Sequence, residues 1–213
     1  MSSNIYDLTV ANLLVTNSNR QDIDPISIGI SAGQINQSSY SVAVGYNAGQ
    51  YNESEYSVSI GYRAGQSYQS TGGIAIGANA GQGTQSTGAI AIGVSAGQYN
   101  QDTGAVAIGF NAGSSTQGYS AIAIGNFAAQ TNQSDGSVAI GGFAGNSTQS
   151  TGAIAVGEYS GQTSQGPGAV SVGTKAGSDN QSSGAVSVGF QAGQTSQGTY
   201  SVAVGTNAGS DWT

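Results

Sequence analysis

Ala89-Ile90-Ala91-Ile92-Gly93-Val94-Ser95-Ala96-Gly97-Gln98-Tyr99-Asn100-Gln101-Asp102-Thr103-Gly104 is followed at once by Ala105-Val106-Ala107-Ile108-Gly109-Phe110-Asn111-Ala112-Gly113, the same pattern sixteen residues on. Working outward, the glycine that follows the apolar pair recurs without insertion or deletion at Gly29, Gly45, Gly61, Gly77, Gly93, Gly109, Gly125, Gly141, Gly157, Gly173, Gly189 and Gly205. The residues one and three before it are always Ile or Val: Ile26, Ile28, Val42, Val44, Val58, Ile60, Ile74, Ile76, Ile90, Ile92, Val106, Ile108, Ile122, Ile124, Val138, Ile140, Ile154, Val156, Val170, Val172, Val186, Val188, Val202 and Val204. Between them stands only Ala or Ser, as in Ala43, Ser59, Ala75, Ala91, Ala107, Ala123, Ala139, Ala155, Ser171, Ser187 and Ala203.

Alternation at period two with β-branched residues on one face signals a strand, and the glycines bracketing G-x-x-A-G signal a turn. A helix is excluded, because an interior glycine costs about 1 kcal/mol there and several recur in every unit. Loops of constant length are what a solenoid requires, since each coil has to stack in register on the last. The expected fold is all-β: a parallel β-solenoid, or β-roll, of about twelve 16-residue coils spanning residues 25–213, roughly 58 Å long at the usual strand spacing. The recurring glycines are the expected turn residues, supplying positive φ at the coil corners.

The Ile and Val columns are expected to point into the coil as its core, with the column from Ala32 to Ala208, broken only by Ser160, packed inside as well. Gln37, Gln69, Gln85, Gln101, Gln117, Gln133, Gln149, Gln165, Gln181 and Gln197 form a further column from which only Glu53 departs, and stacked amides there can bond along the rod. The small column from Ala43 to Ala203 is then left on the opposite face. A solvent-facing column would tolerate Lys, Glu or Thr, so uniformly small residues mark a close approach. Its expected role is an interface with another copy of the chain.

Composition narrows the function classes. The 213 residues include 36 Gly, no Cys, no His, 3 basic and 10 acidic residues, with a net charge of -7. Cys or His nucleophiles, zinc-finger-type sites, Ser-His-Asp triads and disulfides are excluded. Three cations do not neutralise a phosphate backbone, so nucleic acid is not an expected partner. No apolar run is long enough for a membrane-spanning helix, and Met1 to Asn19 does not read as a secretory signal. The acidic residues Glu53, Glu55, Asp102, Asp135, Glu158 and Asp179 do not repeat in register as a calcium-binding roll would require, which leaves them a solubilising role. No catalytic residue, cofactor or metal site is expected.

Ser137-Val138-Ala139-Ile140-Gly141, Ser201-Val202-Ala203-Val204-Gly205 and the A-I-A-I-G copies at Ala89 and Ala121 resemble the S-V-A-I-G-x-x-A repeats of YadA-like heads in trimeric autotransporter adhesins. The resemblance covers about Pro25 to Ser210. It implies a left-handed β-roll, three chains around one axis, and a rod-like role in surface display or adhesion. Ile5 to Thr16 is similar to the short β-rich stretches that begin trimeric viral fibre proteins. Residues 1–24 are accordingly expected to cap, dock or trimerise the rod, and by covering the last coil of another rod they would give end-to-end filaments. The expectation is a non-enzymatic fibre of a virion or extracellular surface, with an adhesin's binding head as the alternative. An ice-binding solenoid is disfavoured, because Asp102, Gly118, Gly166 and Pro167 interrupt the Ser/Thr column.

Three smaller motifs complete the reading. Aromatic residues after the turn glycine (Tyr46, Tyr62, Phe110, Phe127, Phe143, Tyr159 and Phe190) and at the other corner (Tyr40, Tyr56, Tyr119 and Tyr200) are expected to cover the turns and pack on neighbouring chains. Asn36, Asn52, Asn132, Asn146 and Asn180 begin short glycosylation sequons. The G-x-x-A-G turns are followed by no Lys and no helix, which separates them from phosphate-binding loops.

Overall fold

The computed structural model describes residues 25–210; the proposed docking segment 1–24 and the last three residues lie outside them. Twelve three-residue strands, Ile26–Ile28, Val42–Val44, Val58–Ile60, Ile74–Ile76, Ile90–Ile92, Val106–Ile108, Ile122–Ile124, Val138–Ile140, Ile154–Val156, Val170–Val172, Val186–Val188 and Val202–Val204, form one sheet in chain order. Every pairing is parallel with a shift of sixteen, as in Ile90 with Val106 and Ala91 with Ala107. The chain is a β-solenoid of about eleven turns, and no helix occurs among the described residues.

Each lap closes through a second extended segment centred on the glutamine column. It is regular enough to form strands at Ile35–Gln37, Tyr51–Glu53 and Ser67–Gln69, and again at Thr163–Gln165 and Asp179–Gln181. Between these two groups single bridges carry the pairing from Gln69 to Gln85 and onward to Gln165. The corner after each main strand needs two unusual conformations in a row. The first is the recurring glycine, at φ +118° to +135°. The second lies two residues on and is left-handed in every lap, even where it is Phe127, Tyr159 or Lys175. L-residues adopt it at a cost of about 1–2 kcal/mol, which the neighbouring laps offset by holding the corner in their backbone ladder. Gly109 donates to the Ile92 carbonyl and Asn111 to the Val94 carbonyl, at 2.8 and 3.0 Å.

Gly109 and Gly205 separate dihedral strain from contact. A Cβ on Gly109 would lie 2.5 Å from the Gly125 carbonyl oxygen, whereas one on Gly205, in the last lap, would meet nothing within 4 Å. Gly205→Ala is expected to lose only the dihedral penalty, about 1–3 kcal/mol. Gly109→Ala adds a backbone clash and is expected to cost clearly more. Thermal melts of the two variants compare them directly.

The interior reverses the expected assignment of faces. Ala43, Ser59, Ala75, Ala91, Ala107, Ala123, Ala139, Ala155, Ser171 and Ser187 are 0% exposed, and Ala203 is 3% exposed. This column lines the inside of the coil and is unavailable to another chain. The Ile and Val pairs from Ile26 and Ile28 through Val202 and Val204 point outward, and none of them is buried. The reason is width. The main strand faces the glutamine segment of its own lap, and the buried layer between them consists of Ala/Ser columns, glycines and the glutamine side chains. A Cβ added at Gly113 would lie 2.9 Å from Gln117 Oε1 and 3.3 Å from the Ala107 Cβ, which leaves no room for a branched side chain. The column from Ala48 to Ala192 is interior, as expected, with Ser160 among its buried members.

Candidate functional site

Outside the coil, the main sheet presents two parallel columns of Ile and Val that run the length of the described rod. Copies sixteen residues apart shield one another along the axis, so middle members are half-buried, while Val202 and Val204 in the last lap are 70% and 65% exposed. In five of the first six laps a third apolar residue, Ile30, Tyr46, Tyr62, Val94 or Phe110, is exposed at the position after the corner glycine. The described rod thus carries a contiguous apolar strip along one side.

The inner face is organised by amide chemistry. Gln101 Nε2 donates to the carbonyls of Ile90 and Ala105, at 2.7 and 3.1 Å, and reaches Gln117 Oε1 at 3.1 Å. The same eleven-back, four-forward, sixteen-forward set recurs at Gln149, Gln165 and Gln181. Where the small column carries Ser, its hydroxyl donates to the Oε1 of the glutamine ten residues on. The pairs are Ser27 with Gln37, Ser59 with Gln69, Ser171 with Gln181 and Ser187 with Gln197. The choice between Ala and Ser is thus a choice of partner for a buried amide. A second amide ladder runs along a corner, from Gln98 through Gln82, Gln66 and Gln50 to Gln34, with donor–acceptor distances of 2.9–3.1 Å.

Glu53 occupies the glutamine column at 0% exposure and so is not among the solubilising acids. Glu55, Asp102, Asp135 and Glu158 are exposed.

The aromatic residues stack on one another along the rod. Phe127, Phe143 and Tyr159 form a continuous stack with centroid separations of 5.0 and 5.1 Å, joined edge-on by Phe110 at 5.2 Å. Tyr46 stacks on Tyr62 and Tyr40 on Tyr56, and the Arg63 guanidinium lies 5.1 Å from the Tyr62 ring centre. Away from the apolar face, a shallow groove of about 670 Å³ is lined by Thr84, Asn100, Thr116, Asn132, Asp102 and Asp135 among others. The two carboxylates there accept backbone N–H groups, Asp102 from Thr103 and Asp135 from Tyr119.

Among the described residues, no group of three or more His, Cys, Asp or Glu is placed to hold a metal ion, and no helix is long and apolar enough to cross a membrane. Sequence reasoning found the right columns but exchanged the roles of two of them: the expected core is the exposed surface and the expected interface is the core. It noted Glu53 as a departure from the glutamine column without placing it in the interior. The chain matches no family model, no curated protein and no solved structure.

Proposed function

We propose that the chain is a non-enzymatic structural rod, a fibre or surface-display element of a virion or an extracellular surface. Its copies assemble side by side through the Ile/Val face. The observation that carries this reading is the continuous outward column pair from Ile26 and Ile28 to Val202 and Val204. A rod whose interior holds Ala, Gly and Gln buries little apolar area by itself, and joining copies along the branched residues supplies what the interior lacks.

The S-V-A-I-G resemblance implies the number and the hand of this proposal: three chains around one axis, each wound left-handed. Closed three-fold symmetry also hides the apolar face completely, which an open array of rods would not. Rods stacked end to end along the coil axis would extend the trimer into a filament. The alternative role, a receptor-binding adhesin head, draws its support from the stacked aromatic strip of Phe127, Phe143 and Tyr159.

The chain contains no Cys, so single cysteines report on each face. Ile124→Cys is expected to give covalently linked chains on mild oxidation, because symmetry brings each copy of the residue near its own counterparts. Thr116→Cys, exposed on another side of the coil, is expected to stay unlinked. Linkage at Thr116 without linkage at Ile124 would overturn the reading.

A further inference from the structure

Glu53 stands where every neighbouring lap places an amide. By the register of the ladder, the acceptors that a glutamine Nε2 faces are, in this lap, the carbonyls of Val42 and Ser57 and Oε1 of Gln69. The two serine hydroxyls near it donate to other acceptors, and the Gln37 amide gives one of its two hydrogens to a carbonyl. The Ser59 hydroxyl donates to Gln69, the Ser57 hydroxyl to the Ser54 carbonyl at 2.7 Å, and Gln37 Nε2 to the Ile26 carbonyl at 3.2 Å. Ala43 occupies the small column in this lap, so the serine that serves other ladder members is missing. Neither carboxyl oxygen of Glu53 has a hydrogen-bond partner.

Around it, Ile35–Gln37, Ser67–Gln69, Val42–Val44 and Val58–Ile60 direct no charged group inward; Tyr51, Glu55, Tyr56 and Tyr68 are exposed. A carboxylate in that setting is desolvated and has no hydrogen bond to compensate, a state that costs several kcal/mol. A neutral carboxyl has one O–H to give and acceptors waiting for it.

We propose that Glu53 is a buried proton-binding site that latches the first three laps of the rod. With the proton bound, its O–H donates to a ladder carbonyl in place of the missing amide. When the proton leaves to solvent, a desolvated carboxylate without a hydrogen bond faces the ladder carbonyls, and the laps carrying Gln37, Glu53 and Gln69 loosen. Because a solenoid lap contacts only its neighbours, the effect stays at this end of the rod.

Burial pushes the carboxyl up to about 7 from the ordinary 4.5, opposed more weakly by the hydroxyls of Ser59 and Ser57 and the amide of Gln37. The folded form therefore binds the proton more tightly than the unfolded chain. The extra stability is full below the unfolded value, falls as pH rises between the two, and is constant above the upper one.

The test compares the full chain with Glu53→Gln and Glu55→Gln by amide hydrogen exchange and thermal melting between pH 4 and 9. In the unmodified chain, protection of amides in residues 26–69, corrected for intrinsic exchange, is expected to drop on the order of 100-fold across the window between the two values. Glu53→Gln restores the ladder amide and is expected to abolish that step while raising the melting temperature at pH 8. Glu55→Gln is expected to retain the step. An identical pH dependence in the unmodified chain and Glu53→Gln overturns the proposal, as does a carboxyl carbon-13 titration of Glu53 with its midpoint in the ordinary glutamate range.

Discussion

Ile108→Glu combined with Ile124→Glu is expected to convert the assembly into single chains that keep their β-sheet circular dichroism. Both side chains lie on the outer face, in adjacent strands paired Ile124 with Ile108, and neither is buried. In an isolated chain the new carboxylates stay in water, so folding changes little. In an assembly they are placed against the same carboxylates of neighbouring copies, inside an apolar contact. An unpaired charge in such a setting costs about 3–5 kcal/mol, and symmetry repeats the penalty in every copy. Light scattering reads the mass and circular dichroism the fold. A double variant that keeps the parent mass would show that this face is not where chains meet.

Ala107→Glu, one residue away, is expected to do the opposite. Ala107 is 0% exposed, and its Cβ lies among Gly113 and the Gln117 amide of the same lap. A glutamate there meets a layer one methyl group deep. The substitution combines overpacking, about 1–3 kcal/mol, with an unpaired buried charge, about 3–5 kcal/mol. Since laps are coupled only to their neighbours, the rod is expected to open in the middle. Proteolysis near residue 107 and a lowered melting temperature follow, whatever happens to the mass. The contrast between neighbours on one strand identifies the faces: loss of assembly with a folded chain at 108 and 124, loss of the fold at 107.

These two variants bear on the point where sequence and structure diverge. The sixteen-residue lap, the parallel register, the corner glycines and the stacked amides were legible, because each is a matter of spacing, and spacing in a solenoid maps directly onto neighbours. The direction of the main strand's two faces was not. Period-two alternation establishes that Ala91 and the pair Ile90 and Ile92 lie on opposite sides, but it is silent on which side closes on the rest of the lap. Assigning large apolar residues to the interior is sound for a thick core and fails in a coil whose cross-section is one alanine and one glutamine deep.

The restriction of the small column to Ala and Ser did record a close neighbour, as the sequence suggests. That neighbour is the chain's own glutamine segment. Ser59 and Ser171 show the signal that resolves the matter: each stands ten residues before the ladder member that accepts its hydroxyl proton, Gln69 and Gln181. Glu53 was visible as the sole acid of its column, yet its burial followed only once that column had been placed inside.

On the proposed assembly, the branched columns left outside by a narrow coil are covered by sister chains. The most direct measurement is the mass of the unmodified chain in solution, by light scattering or native mass spectrometry across a range of concentrations. A species of three chains is expected, or multiples of three where rods stack end to end. A stable single chain at all concentrations, with its Ile and Val columns in water, would contradict it.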